Sequence, residues 1–115
     1  MAANDTSPSM DECIAHCIAC HALCVETMRH CLELGGEHAS PDHILLMATC
    51  ADICRTSADA MLRGVDVHVH TCRACAEICR RCAEDCERMA ADDATMQRCA
   101  DACRRCAESC ARMAA

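Results

Sequence analysis

The sequence has no phenylalanine, tyrosine or tryptophan, so the large side chains that usually fill a protein core are missing. Hydrophobic residues still make up 53% of the 115 positions, and 16 cysteines and 8 methionines stand where aromatic residues would be expected. Only two prolines and three glycines interrupt the chain, which favours a few long helices. A chain of this length can form one compact domain with a modest core. We therefore predict a single domain over residues 1–115.

Lysine is also absent, and the 11 basic residues are all arginines. The net charge of −7 and the lack of a basic run argue against a nucleic-acid partner. The chain shows no apolar stretch long enough to span a bilayer, and its beginning, MAANDTSPSMDE, does not resemble a secretory signal. We expect a cytoplasmic protein without membrane association. Because thiols are kept reduced there, so many cysteines indicate metal binding rather than disulfides.

Helix start and stop signals divide the chain into four segments. Serine-proline pairs and glycines bracket the first two, and aspartates can cap the other two. These signals are Ser7, Gly35, Ser40, Gly64, Asp66 and either Asp92 or Asp93. The four predicted helices cover about 8–34, 41–63, 66–90 and 93–114. Short connections between helices of similar length predict an all-α, antiparallel up-down-up-down four-helix bundle.

The cysteines recur at alternating steps of three and four residues, as in CRACAEICRRCAEDC at 72–86. This is the spacing of the interior seam of a bundled helix, so the sulfurs should all point inward and line the core. The cysteines are Cys13, Cys17, Cys20, Cys24, Cys31, Cys50, Cys54, Cys72, Cys75, Cys79, Cys82, Cys86, Cys99, Cys103, Cys106 and Cys110. Nearer the helix ends the seams carry Met10, His43, Met47, Met61, His68, Met89, Met96 and Met113. Ser57 interrupts the second seam and leaves one ring of sulfur incomplete.

Several explanations of a thiol-lined core compete. Free cysteine packs as a small hydrophobe, but it fills space less well than the branched aliphatic residues that are nearly missing from these seams. Disulfides within a helix would be strained, and the helical spacing differs from the loop that binds an iron–sulfur cluster. The remaining alternatives are zinc buffering, thiol redox activity, a purely structural bundle and copper(I) binding.

Charge favours copper(I) over zinc. Four Zn²⁺ ions held by sixteen thiolates would leave a large negative charge in a core that has no cations on its seams. Copper(I) is soft, prefers sulfur and accepts low coordination numbers. If each ion is held by two thiolates and each thiolate bridges two ions, about one Cu(I) per cysteine leaves the core nearly neutral. Residues three or four apart on a helix place two sulfurs side by side for this purpose.

The chain closely resembles the bacterial copper storage proteins. Because no signal peptide is expected, it resembles the cytosolic branch of that family. The resemblance rests on C-x3-C-x2-C-x3-C at 13–24 and 99–110, on CADIC at 50–54 and on the ending CARMAA. It implies storage of many Cu(I) ions, a homo-oligomer (a tetramer of bundles) and a copper chaperone or efflux partner. Cytosolic members often carry histidines in the turn between helices three and four. Here that turn reads MAADDATM and has none.

The two ends of the predicted bundle differ in composition. Cys31, His43, Met47, Met89 and Met96 gather at the first end, and we expect copper to be admitted there because the polar segment GGEHASPDH lies beside it. Thioether and imidazole bind Cu(I) without losing a proton at neutral pH. The histidines off the seams are expected at the surface or at an interface: His16, His21, His30, His38 and His70. We find no set of nucleophile, base and orienting group, so we predict that the protein is not an enzyme.

Overall fold

The structure, a computed structural model, describes residues 8–115, which form four long helices and one short one. The long helices are α1 (Pro8–Leu34), α2 (Pro41–Arg63), α3 (His68–Ala90) and α4 (Ala94–Ala114), and a 3-10 helix covers Gly36–Ala39. Each long helix packs mainly on two others, in the closed order α1, α2, α3, α4 and back to α1. The resulting bundle measures 53 × 21 × 20 Å. The predicted all-α four-helix bundle is confirmed.

Glycines end the first two long helices because each adopts a positive φ that disfavours other residues. Gly35, at φ 74°, follows the last residue of α1, and its amide bonds to the carbonyl of Cys31 at 3.1 Å. Gly64, at φ 72°, ends α2 in a left-handed conformation. Ser40 precedes Pro41 as expected but makes no capping bond through its side chain. The cap predicted at Ser7 lies outside the described residues.

The starts of the last two helices differ from the sequence-based boundaries. The prediction that α3 begins at Asp66 is wrong, because the helix begins at His68 and Val67 precedes it without a side-chain cap. Backbone bonds of the turn serve the first amides instead, including one from Val69 to the carbonyl of Asp66 at 3.2 Å. Asp93 does cap α4, since its carboxylate accepts the amide of Met96 at 3.0 Å, but it precedes the helix.

The core is built from cysteine, methionine and alanine. All sixteen cysteine side chains are fully buried, which confirms the predicted cysteine-lined core. Alanines occupy further buried positions; examples are Ala51, Ala58, Ala83, Ala100 and Ala102. These small residues let neighbouring helices approach closely enough for sulfurs on different helices to touch. None of the helices described is long and apolar enough to cross a membrane.

Candidate metal centre

The bore is the interior space that the sixteen cysteine side chains line, and along most of its length the thiols contact one another directly. Cys54 shows the density of these contacts: its Sγ lies 3.4 Å from that of Cys79, 3.7 Å from that of Cys106 and 3.8 Å from that of Cys75. All of these distances are far longer than a disulfide bond of about 2.05 Å. The sixteen cysteines are free thiols. One thiol can therefore face several metal positions at once.

The sulfurs form overlapping groups rather than separate sites. Four groups of four cysteines, and one of three, have all their Sγ atoms within 4.8 Å of one another. The groups are Cys17, Cys75, Cys106 and Cys110; Cys20, Cys50, Cys54 and Cys79; Cys20, Cys24, Cys50 and Cys103; Cys54, Cys75, Cys79 and Cys106; and Cys13, Cys72 and Cys110. Every group shares at least one sulfur with another group. Twelve of the sixteen cysteines thus form one continuous array of soft ligands.

Most of the short sulfur–sulfur distances join different helices. The pairs within one helix are Cys20–Cys24 at 4.0 Å and Cys75–Cys79 at 3.6 Å. The spacing of three and four residues predicted sulfur pairs along each helix. It therefore accounts for only a small part of the sulfur–sulfur contacts. Its larger effect is to aim each row of sulfurs at the rows of the neighbouring helices.

The electrostatics of the bore depend on the environment of each thiol. The pKa of Cys106 is lowered to about 7, chiefly by its hydrogen bond with Cys110. The pKa of Cys54 is raised, chiefly by its hydrogen bond with Cys106 and further by burial, which disfavours the thiolate. The fully buried residues described include no arginine or lysine. A bound cation is therefore needed to balance the charge of ionised bore thiols.

At the end where α1 meets the 3-10 helix, a different set of ligands surrounds a cysteine. The Sγ of Cys31 lies 3.4 Å from Nε2 of His43, 3.3 Å from Sδ of Met96 and 4.0 Å from Nδ1 of His38. We name these four residues the mouth cluster. The pKa of the Cys31 thiol is raised to about 11 by burial first, and then by the negative charges of Asp93, Cys99 and Asp85.

A carboxylate holds one imidazole of the mouth cluster in place. Asp85 on α3 lies 2.5 Å from Nδ1 of His43, and it also pairs with Arg88. This bond favours the tautomer in which Nδ1 donates its proton to Asp85 and Nε2 presents a lone pair towards Cys31. His43 is 2% exposed, and it lines a surface cavity of about 300 Å³ together with Asp85 and Met89. The cavity provides an approach to this end of the bundle.

The histidines off the seams have distinct positions in the structure. His16 contacts the hydroxyl of Ser109 at 2.5 Å, His21 the carbonyl of Ala51 at 2.8 Å and His30 the carboxylate of Asp93 at 2.7 Å. These three histidines link neighbouring helices at the flanks of the bundle. His38 is half-buried in the mouth cluster, a position that the register of the long helices could not indicate. Two consecutive glycines before it were the available signal of a turn.

The opposite end also carries thioether and imidazole side chains. Met61 is fully buried there, whereas Met10, His68 and Met113 are half-buried. The ring of His68 bonds to the carbonyl of Val65 at 2.9 Å.

Among the described residues, two buried hydroxyls have no hydrogen-bond partner. Ser57 lies fully buried in the seam of α2, at the position expected, and Thr27 lies fully buried between Cys24 and Cys31 on α1. Thr27 stands at a seam position but is not among the candidates predicted from the sequence. Because it is one step from cysteines in both directions, the register alone could have found it.

Comparison with known proteins agrees with this geometry. A profile described as copper storage protein matches residues 6–115. The chain belongs to the copper storage protein family. The family identification made from the sequence is thus confirmed, and with it the assignment to copper storage. A comparison with curated proteins found no match.

Several solved structures have the same fold. A protein of Nitrosospira multiformis is 42% identical, with a TM-score of 0.87, and the match covers 95% of this chain and 97% of the other. The Cu(I)-bound copper storage protein Csp3 of Bacillus subtilis is 36% identical, with a TM-score of 0.85 and coverages of 93% and 99%. A cytosolic copper storage protein of Streptomyces lividans, solved with five coppers, is 28% identical, with a TM-score of 0.80 and coverages of 92% and 92%.

Proposed function

We propose that this chain stores Cu(I) in the bore, at about one ion per cysteine, with thiolate ligands from all sixteen cysteines. The observation that carries the proposal is the overlap of the sulfur groups: Cys54 and Cys79 belong together to two groups of four, as do Cys20 and Cys50. Bridging thiolates need this arrangement, because each sulfur must reach more than one ion. Soft monovalent copper accepts such bridging at low coordination number.

Charge supports the same stoichiometry. Each Cu(I) that displaces one thiol proton adds no net charge to the buried array. The bore can therefore be filled along its length without collecting charge in a region that contains no buried arginine or lysine among the described residues.

Zinc buffering is less well supported by the arrangement of the ligands. A structural zinc site uses four ligands of its own in a tetrahedron. Because the four-cysteine groups share members, at most two of them can be occupied by separate zinc ions at the same time; one such pair is the group of Cys17 and Cys110 with the group of Cys24 and Cys103. Eight of the sixteen sulfurs would then remain without a zinc ion.

We further propose that copper enters at the end of the mouth cluster. His43, Met47, Met89 and Met96 supply neutral ligands there, and the cavity beside His43 connects this end to solvent. Met61 and Met113 would serve as weaker thioether ligands at the other end. Protons leave as thiols bind copper, and ions pass between neighbouring thiolates, whose sulfurs are separated by 3.4 to 4.0 Å. This role is storage rather than catalysis.

The site of action and assembly are also proposals. The cytosolic relative from Streptomyces lividans supports a cytosolic role for this chain. Assembly as a homo-oligomer, a tetramer by resemblance to the family, has support from an exposed apolar row on α1. Ile18, Val25 and Leu32 stand seven residues apart and are 53%, 45% and 57% exposed. Native mass spectrometry would give the number of copies.

Anaerobic titration of the reduced protein with Cu(I) tests the storage function. We expect uptake of about one ion per cysteine, with about one proton released per ion from the thiols that are protonated at the start. Competition with excess Zn²⁺ should leave most of the Cu(I) bound. Saturation after one or two equivalents, or full displacement by zinc, would refute the proposal.

A further inference from the structure

The mouth cluster combines one thiolate-forming cysteine, two imidazoles and one thioether. We propose that Cys31, His38, His43 and Met96 form a mononuclear copper site that binds Cu(II) as well as Cu(I), separate in kind from the all-thiolate bore. Two histidines and a cysteine with a more weakly bound methionine are the ligands with which proteins hold copper in both oxidation states. In this chain all three atoms facing Sγ of Cys31 lie within 4.0 Å of it.

The isolation of Cys31 from other thiols supports a single ion. Among the described residues, the contacts of its Sγ are with the two imidazoles and the thioether, whereas Cys54 contacts three other cysteines. A thiolate without a thiol neighbour cannot bridge ions in the manner of the bore. It can act as the only thiolate on one metal ion.

The chain orients the ligands before a metal binds. His43 is almost fully buried, and its bond to Asp85 directs Nε2 towards Cys31. A carboxylate behind a ligating histidine is the usual device for fixing the ring and increasing its basicity. His38 lies in the short helix that begins at Gly36, and the φ angles of 74° at Gly35 and 58° at Gly36 turn the chain back over the end of α1. The four ligands thus come from four different helices: α1, the 3-10 helix, α2 and α4.

Charge distinguishes the ion that this cluster accepts from those in the bore. Two imidazoles and a thioether are neutral, so one thiolate leaves a divalent ion with one positive charge. The carboxylate of Asp85, which also pairs with the exposed Arg88, lies next to this position and offsets part of that charge. A divalent ion among bore thiolates would instead be surrounded by several negative charges. The mouth cluster therefore suits Cu(II), and the bore suits Cu(I).

This inference rests on the proposed function only in taking copper as the ion that arrives. Cu(II) is also a target for reduction by bore thiols, in which two thiolates form one disulfide and two Cu(II) become two Cu(I). A test must therefore be faster than this reaction or use a divalent ion that thiols do not reduce.

Rapid anaerobic mixing of the reduced, metal-free protein with less than one equivalent of Cu(II) provides the first measurement. We expect a transient, intense visible band from thiolate-to-copper charge transfer, with an electron paramagnetic resonance signal of small copper hyperfine splitting in freeze-quenched samples. C31S should abolish both signals. H30A is the matched control, because His30 also contacts a carboxylate at this end but not Cys31, and it should retain both.

Cobalt(II), which thiols do not reduce, provides the second measurement. At less than one equivalent, the wild-type protein should give tetrahedral bands with the charge transfer of one thiolate, and both C31S and H38A should lose at least ten-fold in affinity. The inference is wrong if C31S keeps these spectra, or if wild-type spectra show several thiolates on the metal. Failure of bulk Cu(I) uptake with a normal cobalt spectrum would refute storage and leave the mouth site standing.

Discussion

Cys54 in the middle of the bore and Cys31 at its mouth are both fully buried seam cysteines, but their surroundings differ completely. Three thiols surround the Sγ of Cys54 within 3.8 Å. Two imidazoles and a thioether surround that of Cys31, and a carboxylate stands behind one of the imidazoles. The helical register sets where each sulfur points, but the facing helices decide what chemistry it can perform. One residue type thus serves for bulk storage in one place and for a single ion in the other.

Removing one group of bore sulfurs should change copper binding more than any other substitution considered below. Replacement of Cys20, Cys50, Cys54 and Cys79 by alanine should lower Cu(I) capacity by about four ions, the number expected at one ion per cysteine. Cys54 and Cys79 also bridge to Cys75 and Cys106, so the ions that remain should exchange faster. Anaerobic titration against a Cu(I) chelator measures both quantities.

The matched variant for this experiment carries R29A and E33A, which remove an exposed ion pair outside the bore and should leave bore capacity unchanged. Circular dichroism checks that the bundle remains helical in both proteins. A full complement of Cu(I) in the four-alanine variant would show that these thiols are not ligands.

The sequence was sufficient to predict the fold and the inward direction of every cysteine, because the spacing of three and four residues fixes one face of a helix. It could not predict which sulfurs meet. Cys54 and Cys79 are 25 positions apart and touch only because α2 and α3 pack side by side with a particular vertical offset. A seam pattern carries no information about that offset.

Positions outside the long helices were still harder to predict from the sequence. His38 lies in a short 3-10 helix whose path depends on the unusual backbone of Gly35 and Gly36. α3 begins at His68 rather than at the predicted Asp66, because backbone hydrogen bonds of the preceding turn take the place of a side-chain cap. Local propensity is a weak guide where a turn can satisfy the same amides by another route.

The pH dependence of copper binding should also separate the mouth from the bore. The pKa of Cys31 is raised to about 11, so its thiol is protonated at neutral pH, and Cu(I) must displace that proton. The affinity of the mouth should therefore fall about tenfold for each unit by which pH decreases below this value. The pKa of Cys106 is lowered to about 7, so copper binding at this thiol should lose little affinity until the pH falls below that value.

Chelator competition at several pH values, comparing wild type with C31S, isolates the contribution of the mouth. The difference in affinity between the two proteins should grow by about tenfold per unit as pH rises from about 7 to 9. C106S provides the comparison within the bore, and its difference from wild type should change little over the same range. A difference for C31S that stays constant with pH would contradict the predicted proton displacement.

The smallest expected effect concerns Thr27, a hydroxyl placed among sulfurs. Thr49 and Thr71 also lie on helices, and each bonds to a carbonyl of its own helix, at 2.8 Å from Leu45 and 3.1 Å from His68. The hydroxyl of Thr27 is buried and has no such partner. T27V keeps the shape of the side chain and removes this unpaired group, so it should stabilise the metal-free protein by about 1 kcal/mol.

Chemical denaturation under reducing conditions measures the change, with T49V as the control that loses a hydrogen bond and gains nothing. A loss of stability in T27V would show that the Thr27 hydroxyl finds a partner in solution.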